Sequence, residues 1–260
     1  MHHIMGLSGI EVILAFLASL AAGTIDSIAG GGGLILVPAL FALFPAAAPA
    51  SLFGTNKLAA VSGTAMAAWR YGRHIKLNWR VMLPAGLLAW GGSAAGAWAL
   101  THVNGDDFRK ALPFILIVVF IYSLTQKHLG LSRSKNLALE REIIYASLIG
   151  VVVGFYDGFF GPGTGSFFVF LFVRVLGYDF LMGSAAAKIL NTTSNLSAIF
   201  LFAWHRDIWW GLGLLMAIAN MSGSFVGTRL AVKHGAAFVR KFFIIIVGVL
   251  IFSNLYKLFL

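Results

Sequence analysis

Two aspartates, Asp26 and Asp157, and two lysines, Lys57 and Lys188, stand in stretches that are otherwise largely apolar. Ionisable groups in such surroundings are costly, and they mark binding, ion pairing or proton transfer. Each aspartate opens a glycine-rich run, Asp26-Ser-Ile-Ala-Gly30-Gly31-Gly32-Gly33 and Asp157-Gly-Phe-Phe-Gly161-Pro162-Gly163-Thr164-Gly165-Ser166. Glycines in series lose more backbone entropy in a helix than alanine does, so each run reads as a helix break. At membrane depth the freed N–H and C=O groups need a cavity, a ligand or neighbouring protein. Short helices restarting near Leu34 and Gly165 would turn positive dipole ends towards an anion there. Close helix packing is the other reading of these glycines.

The charged residues carry alternatives of their own. The aspartates could cap the glycine amides or carry protons as the coupling groups of a transporter. A lysine at the centre of a membrane helix costs about 2.5 to 3.5 kcal/mol on insertion scales, so Lys57 and Lys188 need compensation. Snorkelling or a structural ion pair would supply it, and so would a bound anion. Asn56 adjoins Lys57, and Asn191 and Asn195, four apart, share a helical stripe with Lys188 that could face a cavity or join helices. The candidate substrate-binding set is therefore Gly30, Gly31, Gly32, Gly33, Asn56, Lys57, Gly161, Gly163, Thr164, Gly165, Ser166, Lys188, Asn191 and Asn195, with Asp26 and Asp157 as coupling residues.

The elements that must position these residues are membrane helices. Of 260 residues, 59% are hydrophobic and 11% charged, with a mean hydropathy of +0.89; a soluble domain carries about a quarter charged residues. Apolar runs near the roughly 20 residues needed to span a bilayer recur throughout. They fall at about 7–25, 51–69, 81–100 and 111–126 in the first half, with a short piece at 34–44. The first run lacks a basic leader and a cleavage pattern, so it is expected to be retained. The net charge of +10 is spread over short loops and forms no continuous stripe, which argues against nucleic acid. There is no cysteine, and no phosphate-loop, zincin or nucleophile-elbow motif, so neither an enzyme, a metal site nor a cofactor is expected.

An offset of 131 residues aligns Asp26 with Asp157, Lys57 with Lys188, His74 with His205, Trp79 with Trp210 and Arg109-Lys110 with Arg240-Lys241, without a gap over about 85 residues. The chain is read as two homologous repeats, 1–130 and 131–260, in one all-α polytopic membrane domain. Each repeat has about four long spans plus a short half-helix after its glycine-rich break, and sites of transporters lie between such repeats. Five segments per half invert the second half, which puts most basic loops on one side, as the positive-inside rule requires. Both termini would then face away from the cytoplasm. Gly92-x-x-x-Gly96 and Gly223-x-x-x-Gly227 read as helix packing, within or between protomers, which allows a homodimer. His74 and His205, near Trp79, Trp209 and Trp210, read as interfacial anchors.

The stretches Gly23-Thr-Ile-Asp26 to Pro38, Thr55-Asn56-Lys57, Gly154-Phe-Tyr-Asp157 to Ser166 and Ala187-Lys188-Ile-Leu-Asn191 to Asn195 resemble the TauE/SafE family of sulfite and organosulfonate exporters, most closely its YfcA-like branch. The resemblance covers nearly the whole chain. It implies a secondary transporter of small sulfur-containing anions in the bacterial inner membrane, coupled to a proton or another ion. A passive anion channel and a carrier of another small organic anion are the alternatives.

Overall fold

The computed structural model describes residues 7–103, 137–205 and 207–259. The expected span at 111–126, the pair Arg109-Lys110 and most of the polar divider between halves lie outside them. The described residues form helices and no strands: α1 (Gly9–Ala29), α2 (Gly33–Leu43), α3 (Pro49–Gly72), α4 (Trp79–Thr101), α5 (Leu139–Phe159), α6 (Thr164–Leu176), α7 (Phe180–Trp204) and α8 (Trp210–Phe259), the last broken at Gly235. With the 131-residue offset, the starts of α2, α3 and α4 fall on those of α6, α7 and α8, and α1 lies one residue from α5.

Local chemistry explains the boundaries. Glu11, the one acid of the first apolar run, belongs to a capping box in which the Ser8 hydroxyl accepts from Glu11 N–H (3.2 Å) and the Glu11 carboxylate accepts from Ser8 N–H (2.8 Å). Pro49 opens α3 where its missing N–H costs nothing. Asp179 caps α7 by accepting from Met182 N–H at 2.8 Å. The breaks are narrower than the glycine runs suggest: α1 continues through Asp26 to Ala29, and α5 through Asp157 to Phe159. Both aspartates therefore sit on the last helical turn before a break. Gly33 and Thr164 already belong to the next helices, of 11 and 13 residues, about 16 and 20 Å long.

Helix directions follow from which residues meet. α2 folds back along α1, with Gly32 against the Ala22 carbonyl, while Phe41 and Phe53 pack ring against ring at 5.6 Å as α3 reverses again. α1 and α8 run parallel: Ser19 Oγ donates to the Met216 carbonyl at 2.7 Å, Gly23 abuts Asn220 and Gly227 abuts Thr24. α4 and α5 match them, with Gly92 on Val151, Gly96 on Phe155 and Gly158 on Ser93. Both GxxxG stripes thus serve packing inside this chain, where the absence of a side chain lets backbones touch.

Three described helices are long and apolar enough to cross a membrane, Gly9–Ala29, Leu139–Phe159 and the Trp210–Gly235 part of α8. α3, α4 and α7 are as long, at 24, 23 and 25 residues, but more polar. Their outer faces nonetheless expose Leu83, Leu87 and Trp98 on α4 and Phe200 on α7, continuous in kind with Ile10, Ile13, Ile144, Leu148 and Val152 on the neighbouring helices. Apolar exposure on that scale suits lipid and not water.

The packing predicts that Gly96→Leu and Gly227→Leu, which force a side chain into facing backbone, each cost about 1 to 3 kcal/mol or more. Gly91→Leu, which has open space around it, should be tolerated. Thermal unfolding of the purified variants in detergent measures the difference, and equal melting of all three would contradict the close approach.

Candidate functional site

The two glycine breaks meet. Gly30 is packed against the backbone of Gly165 and Ser166, and Gly33 against Pro162, so a Cβ at Gly30 would collide with the opposing chain. Gly30, Gly31, Gly161 and Gly163 also have positive φ of 74°, 107°, 89° and 83°, a region costly for residues with a side chain. The glycines therefore serve both readings at once, close approach and a break in the helix.

The α1 end is satisfied by hydroxyls from three other helices. Tyr71 Oη donates to the Ser27 carbonyl (2.8 Å), Ser184 Oγ to Ile28 (3.3 Å) and Ser166 Oγ to Ala29 (3.5 Å). At the second break Thr164 Oγ1 donates to the Gly161 carbonyl (2.7 Å) and Tyr156 Oη to that of Pro162 (2.5 Å). Orphan carbonyls at buried helix ends need such partners.

Both lysines are ion-paired, and the pairs cross between the halves. Lys57 Nζ lies 2.5 Å from Asp157 Oδ1, and Lys188 Nζ lies 2.7 Å from Asp26 Oδ2. Lys57 and Lys188 are 2% and 0% exposed, which removes snorkelling as an account of either. Each aspartate has a second duty. Asp26 Oδ1 accepts from the N–H groups of Gly31 (3.1 Å) and Gly32 (3.2 Å), and Asp157 Oδ2 accepts from Ser194 Oγ (2.7 Å). Asp26 is thus a cap as well as an ion-pair partner.

Between the pairs lies a cavity of about 30 Å³, the scale of one or a few waters. Its wall holds Asp26, Asp157, Lys57, Gly31, Gly32, Gly33, Gly161, Gly163, Thr164, Gly165, Asn56, Asn191 and Asn195 from the residues singled out in the sequence. Gly30, Ser166 and Lys188 are not on this wall; they stand behind it, holding the breaks together. Asn195 Nδ2 donates to Asn191 Oδ1 at 3.3 Å, and of the α7 stripe these two residues line the cavity while Lys188 does not. Asn56, 4% exposed, leaves its Oδ1 without a partner. Neither short helix has a side-chain bond from its own N-cap residue, Gly32 or Gly163, and both N-termini open on this space.

Thr64, Ala60, Leu36 and Asn220 also line the cavity. Thr64 and Ala60 are the offset partners of Asn195 and Asn191, so the repeat register could have located them. Asn220 is an amide in an apolar span whose Nδ2 donates to the Ser19 carbonyl at 3.1 Å; its polarity was the available signal.

The family model for the sulfite exporter TauE/SafE matches residues 15–253. The chain belongs to the TauE/SafE family. It is 37% identical to a probable membrane transporter protein, ORF9, of Sinorhizobium sp over 90% of this chain and 89% of that protein. It is 35% identical to the probable membrane transporter protein YfcA of Escherichia coli (strain K12), over 94% of this chain and 89% of that one. A probable membrane transporter protein of Haemophilus influenzae (strain ATCC 51907 / DSM 11121 / KW20 / Rd) shares 34% identity over 91% of this chain and 92% of its own length. No solved structure gives a significant match. Membership in this family makes the chain a membrane transport protein.

Buried ion pairs predict a particular mutational pattern. Lys57→Gln or Asp157→Asn alone strands an opposite charge and should cost about 3 to 5 kcal/mol. The double variant Lys57→Gln/Asp157→Asn should regain most of that loss. Thermal stability in detergent across the four proteins measures it, and a double variant no better than the singles would mean that the two charges do not compensate each other.

Proposed function

We propose that the protein is a secondary carrier of small sulfur-containing anions, sulfite or organosulfonates, in the inner membrane of a bacterium. One observation carries this reading: the lysine of each half pairs with the aspartate of the other, beside a buried polar cavity lined by the starts of both short helices. Helix N-termini favour anions through their free N–H groups and dipoles. Groups from both halves line the cavity, a placement between repeats that suits alternating access better than an open channel. The family's description as sulfite exporters supports the choice of anion.

In this reading residues 1–130 and 131–260 are inverted repeats. Support comes from the element starts that coincide under the 131-residue offset and from the parallel packing of α1 on α8 and of α4 on α5. α1, α2, α3 and α4 alternate in direction, so α8 running with α1 runs against its counterpart α4. Coupling is assigned to Asp26 and Asp157, because protonating either carboxylate would weaken its hold on a lysine of the opposite half.

Three measurements test the proposal. Purified protein in liposomes should carry sulfite or a small sulfonate with a flux that depends on the pH gradient, and with no channel-like unitary current. Asp157→Asn should abolish that pH dependence; a retained profile would assign Asp157 a purely structural role. Since the native chain has no cysteine, Lys76→Cys and Lys233→Cys should be labelled only from the cytoplasm and Val103→Cys and Asp207→Cys only from outside. Labelling of positions 103 and 207 from opposite faces would exclude the inverted arrangement.

A further inference from the structure

A second cavity lies away from the ion pairs, where α3 gives way to α4. It measures about 700 Å³ and shares no described wall residue with the first. Its described wall carries two cations, Arg73 and Lys76, two tryptophans, Trp69 and Trp79, and no carboxylate. The Arg73 guanidinium lies 4.2 Å from the centroid of the Trp69 ring, a cation–π contact that positions the side chain without using its N–H donors. Those donors and the Lys76 ammonium take no acceptor among the described residues. Beside the cations the wall is apolar, with Ile75, Leu77 and, from α7 in the other half, Ile189. Trp69 and Trp79 are 53% and 57% exposed, as rings are that sit at the level of lipid headgroups.

The opposite ends of the same helices lack this character. There a cavity of about 310 Å³, at the start of α3 and the end of α4, has His205 and Asp207 on its described wall and neither lysine nor arginine. The 131-residue offset sets Trp210 against Trp79, yet it sets Trp204 against Arg73 and Asp207 against Lys76. The tryptophan anchor is therefore present in both halves and the cations in one. Two unpaired cations with donors to spare suit a phosphate, whose oxygens accept from guanidinium and ammonium alike. A free phosphate has no use for the apolar wall next to them, whereas an acyl chain does, and basic pockets between membrane helices take anionic headgroups for this reason. We infer that this cavity binds one anionic phospholipid, its phosphate on Arg73 and Lys76 and an acyl chain along Ile75, Leu77 and Ile189. The lipid would bridge the α3–α4 loop to α7 and so join the two halves at the membrane surface. Nothing in this site depends on which cargo the first cavity carries.

The test is native mass spectrometry of the purified full-length protein in detergent, titrated with dioleoyl phosphatidylglycerol and with dioleoyl phosphatidylcholine, which share their acyl chains and differ in headgroup charge. Phosphatidylglycerol should bind at least fivefold more tightly. Arg73→Gln/Lys76→Gln should reduce that preference to within about twofold. Arg229→Gln/Lys233→Gln, which removes two exposed cations of α8 that are not on the cavity wall, should keep it. Unfolding temperatures measured without added lipid show that both double variants are folded. No preference for phosphatidylglycerol in the unaltered protein overturns the site. Equal loss of preference in the two double variants overturns it as well, since lipid would then be answering the basic surface as a whole. Displacement of phosphatidylglycerol by an equal concentration of soluble glycerol phosphate would make this a site for free phosphate and overturn the lipid assignment.

Discussion

A charge buried in a membrane protein has to be answered by another, and here the answers cross the molecule. Lys57 reaches Asp157 and Lys188 reaches Asp26, so neither half can satisfy its own ionised groups. Each half is incomplete alone. The pairs also set where the two breaks lie, since an aspartate on the last turn before each break has to meet a lysine two helices into the opposite half. Removing any one of the four groups would leave a charge that lipid and apolar side chains cannot solvate.

The same constraint governs the backbone. Interrupting α1 and α5 frees carbonyls that water would ordinarily take, and the protein supplies Tyr71, Ser184 and Ser166 at one break and Thr164 and Tyr156 at the other. The two sets are not related by the 131-residue offset: Tyr71 has Phe202 for a counterpart, Ser184 has Phe53 and Ser166 has Ile35. Under that offset the described helix starts and the four charged groups coincide, while the small polar groups around them do not. A cavity lined by such halves is bound to be lopsided, with Asn56 and Asn220 on its wall opposed in register by Ala187 and Ala89.

Much of this was legible in the chain because membrane helices announce themselves by apolar length, and because rare residues recur at a fixed offset. Helix starts, the glycine breaks and the cavity-facing stripe of Asn191 and Asn195 followed from local pattern. The partner of each lysine did not. Periodicity places a residue on a face and leaves open which distant face it meets, so an ion pair, an anion and snorkelling remained equal explanations until burial and distance separated them. Asp26 and Asp157 looked like residues of the breaks because glycine is a poor helix former, yet packing carries both helices a turn further. Thr64 and Asn220 were missed although signals existed, the offset to Asn195 for the one and an isolated amide in an apolar run for the other.

The crossed pairs are alike in charge and unlike in how they are held. Asp157 is held only by side chains, Lys57 and Ser194, and side chains can rotate away from a carboxyl that has gained a proton. Asp26 is held by Lys188 and by two backbone N–H groups just before α2, whose positions the chain fixes. Protonation would loosen Asp157 from two side chains, whereas Asp26 would keep backbone partners. The start of α6 lines the same cavity as Lys57 and Asp157. On the proposed reading, cargo and proton would act on one ion pair, the simplest physical route by which the two could be coupled.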